Sequence, residues 1–169
     1  MAKRPQRRQM TPEEVLATQF GGPDDGVFTD GSSDPNPGPG GWGWVWVEAG
    51  TIVDQGHGRD PDTTNNRMEL TALIEAYKAL PADRDLVVYC DSQLCVNTIN
   101  EWAAGWERRG WKRKSGPIKN LDLVKELYAL ANARPRIELR WIRAHEGARW
   151  NEYADALAGL PAGATPPSG

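Results

Sequence analysis

The chain has 169 residues and a net charge of −3, with 39% hydrophobic and 25% charged residues. That length fits one domain with a core large enough to need neither disulfides nor a structural metal. No apolar run approaches the ~18 residues of a membrane span, no apolar stretch follows the charged N-terminus as a secretory signal would need, and Cys90 and Cys95 give no disulfide framework; a cytoplasmic, monomeric protein with reduced thiols is expected.

In chain order, residues 1–25 read as a mobile appendage. Lys3, Arg4, Arg7 and Arg8 form a basic arm, and Thr11-Pro12-Glu13-Glu14 starts a short helix running to about Gln19, with an N-cap residue, Pro at N1 and acids in the first turn. The domain is expected over residues 26–158. Val27–Thr29 is a short strand; Trp42–Val47 alternates Trp42, Trp44 and Trp46 with Gly43, Val45 and Val47, a strand apolar on both faces. A turn at Glu48–Thr51 leads into a third strand, Ile52 to about Gly58, completing an antiparallel meander. Asn65–Leu80 is a helix whose Leu73, Ala76, Tyr77 and Leu80 share a face. Leu86–Cys90 is a continuous apolar run, as for a strand covered on both sides.

Two short helices follow, about Ser92–Glu101 and Trp102–Arg108; Asn120 caps a helix over Leu121–Asn132; Ile137, Leu139 and Trp141 mark a fifth strand; Arg149–Ala158 is the closing helix. The fold class is therefore α/β: a five-stranded mixed sheet, elements ordered βββαβαααβα, flanked by helices on both faces. Residues 159–169, mostly Pro, Gly, Ala and Ser, form a disordered tail. Gly38–Gly43 fits G-x-G-x-x-G literally, but it runs into a strand instead of opening a helix, which excludes a dinucleotide site.

Charge is unevenly placed. Trp106–Lys119 holds six basic residues and one acid, +5 in a chain of net −3, leaving −8 elsewhere. Such a block is either a solvated loop or the footprint of a polyanion. Acids gather at structural junctions. Asp30 and Asp91 each end a predicted strand, where ligands of open α/β sheets bind; the alternatives are an Asp-Gly turn for Asp30 and a helix N-cap for Asp91. Glu69 lies on the helical stripe expected to be buried, unless it closes a capping box from Asn66. Asp155 stands between Ala154 and Ala156 in the closing helix, where a solvated position is the alternative. Together the four make an oxygen-rich set suited to Mg²⁺ or Mn²⁺ and unsuited to zinc. His145, in the loop before the last helix, can shuttle a proton near neutrality; His57 has no assigned role.

With these residues in place, the chain resembles ribonuclease H type 1 over about residues 26–158. The motifs are Phe28-Thr29-Asp30-Gly31-Ser32, Asn36-Pro37-Gly38-Pro39-Gly40-Gly41, Thr63 through Leu70, Asp91-Ser92-Gln93, Trp106 through Lys112, and His145 through Asn151-Glu152 to Asp155. The resemblance implies endonucleolytic hydrolysis of the RNA strand of RNA–DNA hybrids, leaving 5′-phosphate and 3′-hydroxyl ends, with two Mg²⁺ ions (Mn²⁺ as substitute) held by Asp30, Glu69, Asp91 and Asp155 and with His145 assisting proton transfer or product departure. It further implies minor-groove contacts from Asn36, Asn66 and Gln93, a DNA-phosphate pocket at Thr64 and Asn65, and a basic handle with Trp102, Trp106, Arg108, Arg109, Lys112, Arg113 and Lys114; core packing is the alternative for the two tryptophans. A hybrid-binding module without catalysis, or another nuclease or transferase of this fold, are the competing functions. Val124 replaces a Trp frequent among relatives, Ala148-Arg149-Trp150 follows the His145 loop, and Glu107 interrupts the basic run.

Overall fold

The computed structural model describes residues 9–144 and 148–168. Its strands are β1 (Gly26–Ser33), β2 (Gly38–Glu48), β3 (Thr51–Thr63), β4 (Leu86–Cys90) and β5 (Ile137–Trp141); its helices are α1 (Pro12–Thr18), α2 (Asn65–Ala79), α3 (Gln93–Asn97), α4 (Ala103–Arg108), α5 (Leu121–Asn132) and α6 (Arg149–Ala158), with a π-helical turn at Thr98–Trp102. The sheet order is β3-β2-β1-β4-β5. β1, β2 and β3 form an antiparallel meander, while β4 lies parallel to both β1 and β5.

The alternation along β2 separates two cores. Trp44 and Trp46 pack with Leu73, Tyr77, Val88 and Leu127 beneath α2 and α5; Val45 and Val47 pack with Phe28, Trp150, Tyr153 and Leu157 beneath α6. Gly43 lets α6 come close: a Cβ there would stand 2.6 Å from that of Leu157. The first three strands outrun their apolar stretches. β1 continues through Ser33, β2 begins at Gly38 and β3 runs to Thr63, because backbone pairing, Asp30 with Gly43 through Ser33 with Gly40, continues where hydrophobicity stops. Asp30 therefore lies inside a strand, correcting the expectation that it ends one.

Some capping bonds differ from those expected. Thr64 caps α2, its Oγ1 accepting from the Arg67 amide, and Ser92 caps α3 by accepting from the Cys95 amide. Instead of the expected pair of helices after β4 there are three segments, α3, the π turn at Thr98–Trp102 and α4. Asn120 precedes α5 in a left-handed conformation (φ 55°) without a side-chain cap; its Oδ1 accepts from Arg67, 3.4 Å away. α1 begins at its Thr11 cap as expected. Within the segment read as an appendage, Val15 is fully buried against α6. Within the tail, the carbonyl of Ala164 lies 2.7 Å from Nε2 of His57, and Gln55 donates to the Pro167 carbonyl. Among the described residues no helix is long and apolar enough to cross a membrane.

Candidate active site

β1 and β4 pair through Thr29 and Cys90, after which β4 ends and β1 continues. The next residues along the two segments are Asp30 and Asp91, so the notch past the end of β4 is flanked by two carboxylates. Asp30 is 8% exposed and, by alternation, shares the face of Phe28 toward α6. Glu69 reaches the same notch from α2 and is 7% exposed. The Gly31 amide joins them: it donates to Oδ1 of Asp30 and to Oε1 of Glu69, each at 2.9 Å. The Cys90 thiol donates to Oε2 of Glu69 at 3.5 Å. Glu69, Cys90 and Asp91 each present a ligand atom within 4.8 Å of the others. Asp155, half-buried on α6, adds its charge to the field at Asp30.

The structure removes three local alternatives. Asp30 is in no turn; the α3 cap is Ser92, not Asp91; Glu69 lies two residues beyond the capping-box position, because α2 starts from Thr64.

Burial is the main reason that the Asp30 carboxyl is held well above its ordinary range; the charges of Glu69, Asp91 and Asp155 and a hydrogen bond with Glu69 act in the same direction. Burial likewise pushes Glu69 up to about 7, although hydrogen bonds from Asp30, Gly31 and Cys90 favour its ionised form. Without a cation, burial and mutual repulsion oppose ionisation of both members of the pair. A hard divalent cation fits this donor set: crowded carboxylate oxygens gain from its charge what they lack from solvent. Burial holds the Cys90 thiol well above its usual range.

Asn36 and Asn65 form a second cluster in front of the turn from β1 to β2. Oδ1 of Asn36 accepts from Oγ of Ser33 and from the Asn65 amide, both at 3.1 Å, and Oδ1 of Asn65 accepts from the Ser33 amide at 2.7 Å. With both carbonyl oxygens engaged, these side chains offer NH₂ groups to a ligand, the polarity a phosphate needs. Asn66 is exposed one residue further along α2, and Gln93 is exposed at the start of α3.

Between this cluster and the basic loop lies an open groove of about 370 Å³, floored by Leu70, Cys95, Ile118 and Val124 and flanked by Trp102 and Lys119. Trp102 is 40% exposed, with its ring centroid 6.1 Å from that of Trp106, which packs against the core. Arg108, Arg109, Lys112 and Lys114 are exposed. Arg113 is used internally, donating to the carbonyls of Gly116 and Pro117 at 3.1 and 3.0 Å, so that it staples the loop. Arg67, inside the Thr63–Leu70 motif, pairs with Asp122 at 2.9 Å and ties α2 to α5. His145 lies outside the described residues.

Sequence reasoning missed Gly31 and Cys90 as members of the site. Adjacency to Asp30 and Asp91 was the only signal for either, and neither bond to Glu69 is visible without the packing of α2 on the sheet.

A sequence model of the RNase H family matches residues 24–162. The chain is 48% identical over 134 residues to "Ribonuclease H" of Methylorubrum extorquens (strain PA1), covering 79% of this chain and only 58% of that protein. It is 50% identical over 133 residues to "Ribonuclease H" of Herminiimonas arsenicoxydans, covering 78% of this chain and 90% of that one. Among solved structures, LC9-RNase H1, described as a type 1 RNase H with the type 2 active-site motif, superposes with a TM-score of 0.67 at 37% identity, covering 82% of this chain and 72% of that one.

Proposed function

Because the chain belongs to the RNase H family, we propose that it hydrolyses the RNA strand of RNA–DNA hybrids, with Asp30, Glu69, Asp91 and Asp155 holding divalent metal. The observation that carries this reading is the buried Asp30–Glu69 pair joined by the Gly31 amide, an arrangement that holds surplus negative charge for a cation. These four carboxylates would hold a pair of Mg²⁺ ions (or Mn²⁺ as substitute), which would supply a more acidic water and positive charge near the scissile phosphate.

The protein's residues supply position and polarity. The Gly31 amide donates to both Asp30 and Glu69, and Asp91, just after β4, and Asp155, from α6, would complete the metal-binding set. His145 would exchange a proton with product or solvent from the loop preceding α6. Asn36 and Asn65 would donate to a DNA-strand phosphate with Thr64 beside them, while Asn66 and Gln93 would face the minor groove, where 2′-hydroxyls distinguish RNA from DNA. Trp102 and Trp106 would border the path of the DNA strand and the exposed cations would hold its phosphates. The free buried thiols of Cys90 and Cys95 support a reducing, cytoplasmic setting, and we take the working form to be a monomer.

The test compares an RNA–DNA hybrid with RNA and DNA duplexes of one sequence, in Mg²⁺ and in EDTA. Cleavage confined to the RNA strand of the hybrid and lost in EDTA is expected. Equal cleavage of the DNA duplex, or activity that survives chelation, would overturn the proposal; tight hybrid binding with no cleavage would indicate a binding module. A second expectation concerns the handle. Replacing Arg108, Arg109, Lys112 and Lys114 with Ala, and leaving the loop staple Arg113 in place, raises KM for the hybrid with little change in kcat. It also lowers the slope of log KM against log salt by up to about 3. An unchanged KM with a collapsed kcat would mean that the handle acts on chemistry instead.

A further inference from the structure

α6 carries Asp155 but begins without a side-chain cap, since Ala148 occupies its N-cap position. Its exposed ends are satisfied from elsewhere, and residues 9–22 serve both of them. At the N-terminal end, the Arg149 amide donates to the Gly21 carbonyl at 2.7 Å, and Gly21 and Ala148 form an isolated parallel bridge. At the C-terminal end, four carbonyls lack helical partners. Those of Ala156 and Leu157 accept from the Gly159 and Leu160 amides, that of Ala158 accepts from Arg59 at 3.0 Å, and that of Asp155 itself accepts from Nε2 of Gln9 at 2.7 Å.

Between the two ends, Val15 is buried in the cluster formed by Trp150, Tyr153 and Leu157. The Arg149 guanidinium donates to the Leu16 carbonyl at 3.3 Å and lies 5.6 Å from the Phe20 ring centroid. Apart from Gly22, which packs on Ala148, each of these residues serves α6 by hydrogen bond, ring stacking or burial. The whole segment precedes residue 24, where the family match begins.

We propose that residues 9–22 are a brace that positions Asp155: they clamp α6 at both ends and thereby fix where its carboxylate meets the notch at Asp30. Gln9 and Val15 are positioning residues, acting through the helix and not on substrate. The inference rests on the reading of Asp155 as a metal ligand, so the test carries a control for that premise. Full-length Gln9→Ala, Val15→Ala and Asp155→Asn proteins are compared with the parent, well below their unfolding temperatures. The readouts are Mn²⁺ binding to the protein without substrate, followed by electron paramagnetic resonance, the Mg²⁺ concentration giving half-maximal cleavage, and KM for the hybrid.

Val15→Ala is expected to weaken Mn²⁺ binding and raise the Mg²⁺ requirement several-fold at unchanged hybrid KM. Gln9→Ala does the same to a smaller degree, and Gln9→Lys, which keeps a donor, restores the parental values. Lower thermal stability with unaltered metal binding in both brace variants would overturn the proposal and leave the segment a purely structural role. Should Val15→Ala fail to fold, Gln9→Ala decides, because its bond is exposed. Where Asp155→Asn weakens Mn²⁺ binding and the brace variants do not, the brace alone is wrong; where Asp155→Asn also has no effect, the premise and the brace fall together.

Discussion

Asp30→Asn is expected to abolish hydrolysis of the hybrid while making the metal-free protein more stable. The first effect follows from the position of Asp30, the member of the cluster toward which Glu69, Asp91 and Asp155 all direct negative charge. An amide in its place removes a proposed metal ligand and the charge for a cation to settle against; losses on the order of 10³-fold or more in kcat follow from removing preorganised charge stabilisation of that kind. Hybrid binding should survive, since the exposed cations of the handle are untouched. Retained turnover in the variant would remove Asp30 from the mechanism.

The second effect has a definite pH signature. A carboxyl whose folded pKa lies above its unfolded value binds its proton more tightly in the folded chain, so stability falls as pH rises through the interval between the two. For the Asp30–Glu69 pair that interval begins near the ordinary values of 3.8 and 4.5 and extends to about 7 for Glu69 and well above 3.8 for Asp30. The penalty is absent in acid and complete above the raised values. An Asn at position 30 removes one of the repelling charges, so a gain in stability that grows as pH rises out of the ordinary carboxylate range is expected. Thermal unfolding in EDTA across pH 4 to 8 checks this. The difference between variant and parent should grow with pH and disappear toward pH 4; a gain of equal size throughout would mean that charge is not its source. Added Mg²⁺ should narrow the gap, because only the parent has the full site to bind it.

Helices α1 and α2 and the interior fourth strand were legible because local signals define them. Thr11 and Pro12 start α1, the stripe from Leu73 to Leu80 marks α2, and Leu86–Cys90 is apolar throughout. The ends of the meander were not legible: Gly31–Ser33 and Gly38–Gly41 have no hydrophobic signature and belong to strands only through cross-strand hydrogen bonds. The same division holds for the site. The inward face of α2 indicated Glu69, and the junctions after the apolar strands indicated Asp30 and Asp91. What could not be read was how α2 sits on β1. That placement alone determines that the Gly31 amide serves two carboxylates and that Cys90 bonds to Glu69, and a sequence pattern does not encode distances between elements. Arg113 shows the converse, since a cation inside a basic run reads like its neighbours until the structure reveals its bonds to Gly116 and Pro117.

Gly31→Ala, the addition of one methyl group, is expected to disable the site nearly as fully as loss of a carboxylate. The residue needs no unusual backbone angle; it needs the absence of a side chain. A Cβ at position 31 would lie 2.2 Å from the Met68 carbonyl carbon, 2.4 Å from its oxygen and 2.5 Å from the Glu69 amide nitrogen. All three are backbone atoms of α2, so no rotamer change relieves the overlap. Either α2 lifts from β1 or β1 bends away from it, and in both cases Glu69 leaves the Gly31 amide that it shares with Asp30. Relief requires a movement of about 1 Å, a misplacement that costs on the order of 10²-fold when it separates reacting or ligating groups. The overpacking should also cost about 1–3 kcal/mol of stability. Since Thr64 and Asn65 begin the same helix, the variant should lose affinity for the hybrid as well as turnover, which separates it from Asp30→Asn. Cleavage kinetics, Mn²⁺ binding and thermal unfolding of the two variants side by side provide the check: parental Mn²⁺ affinity in Gly31→Ala would show that the approach of α2 to β1 does not set the geometry of the carboxylates.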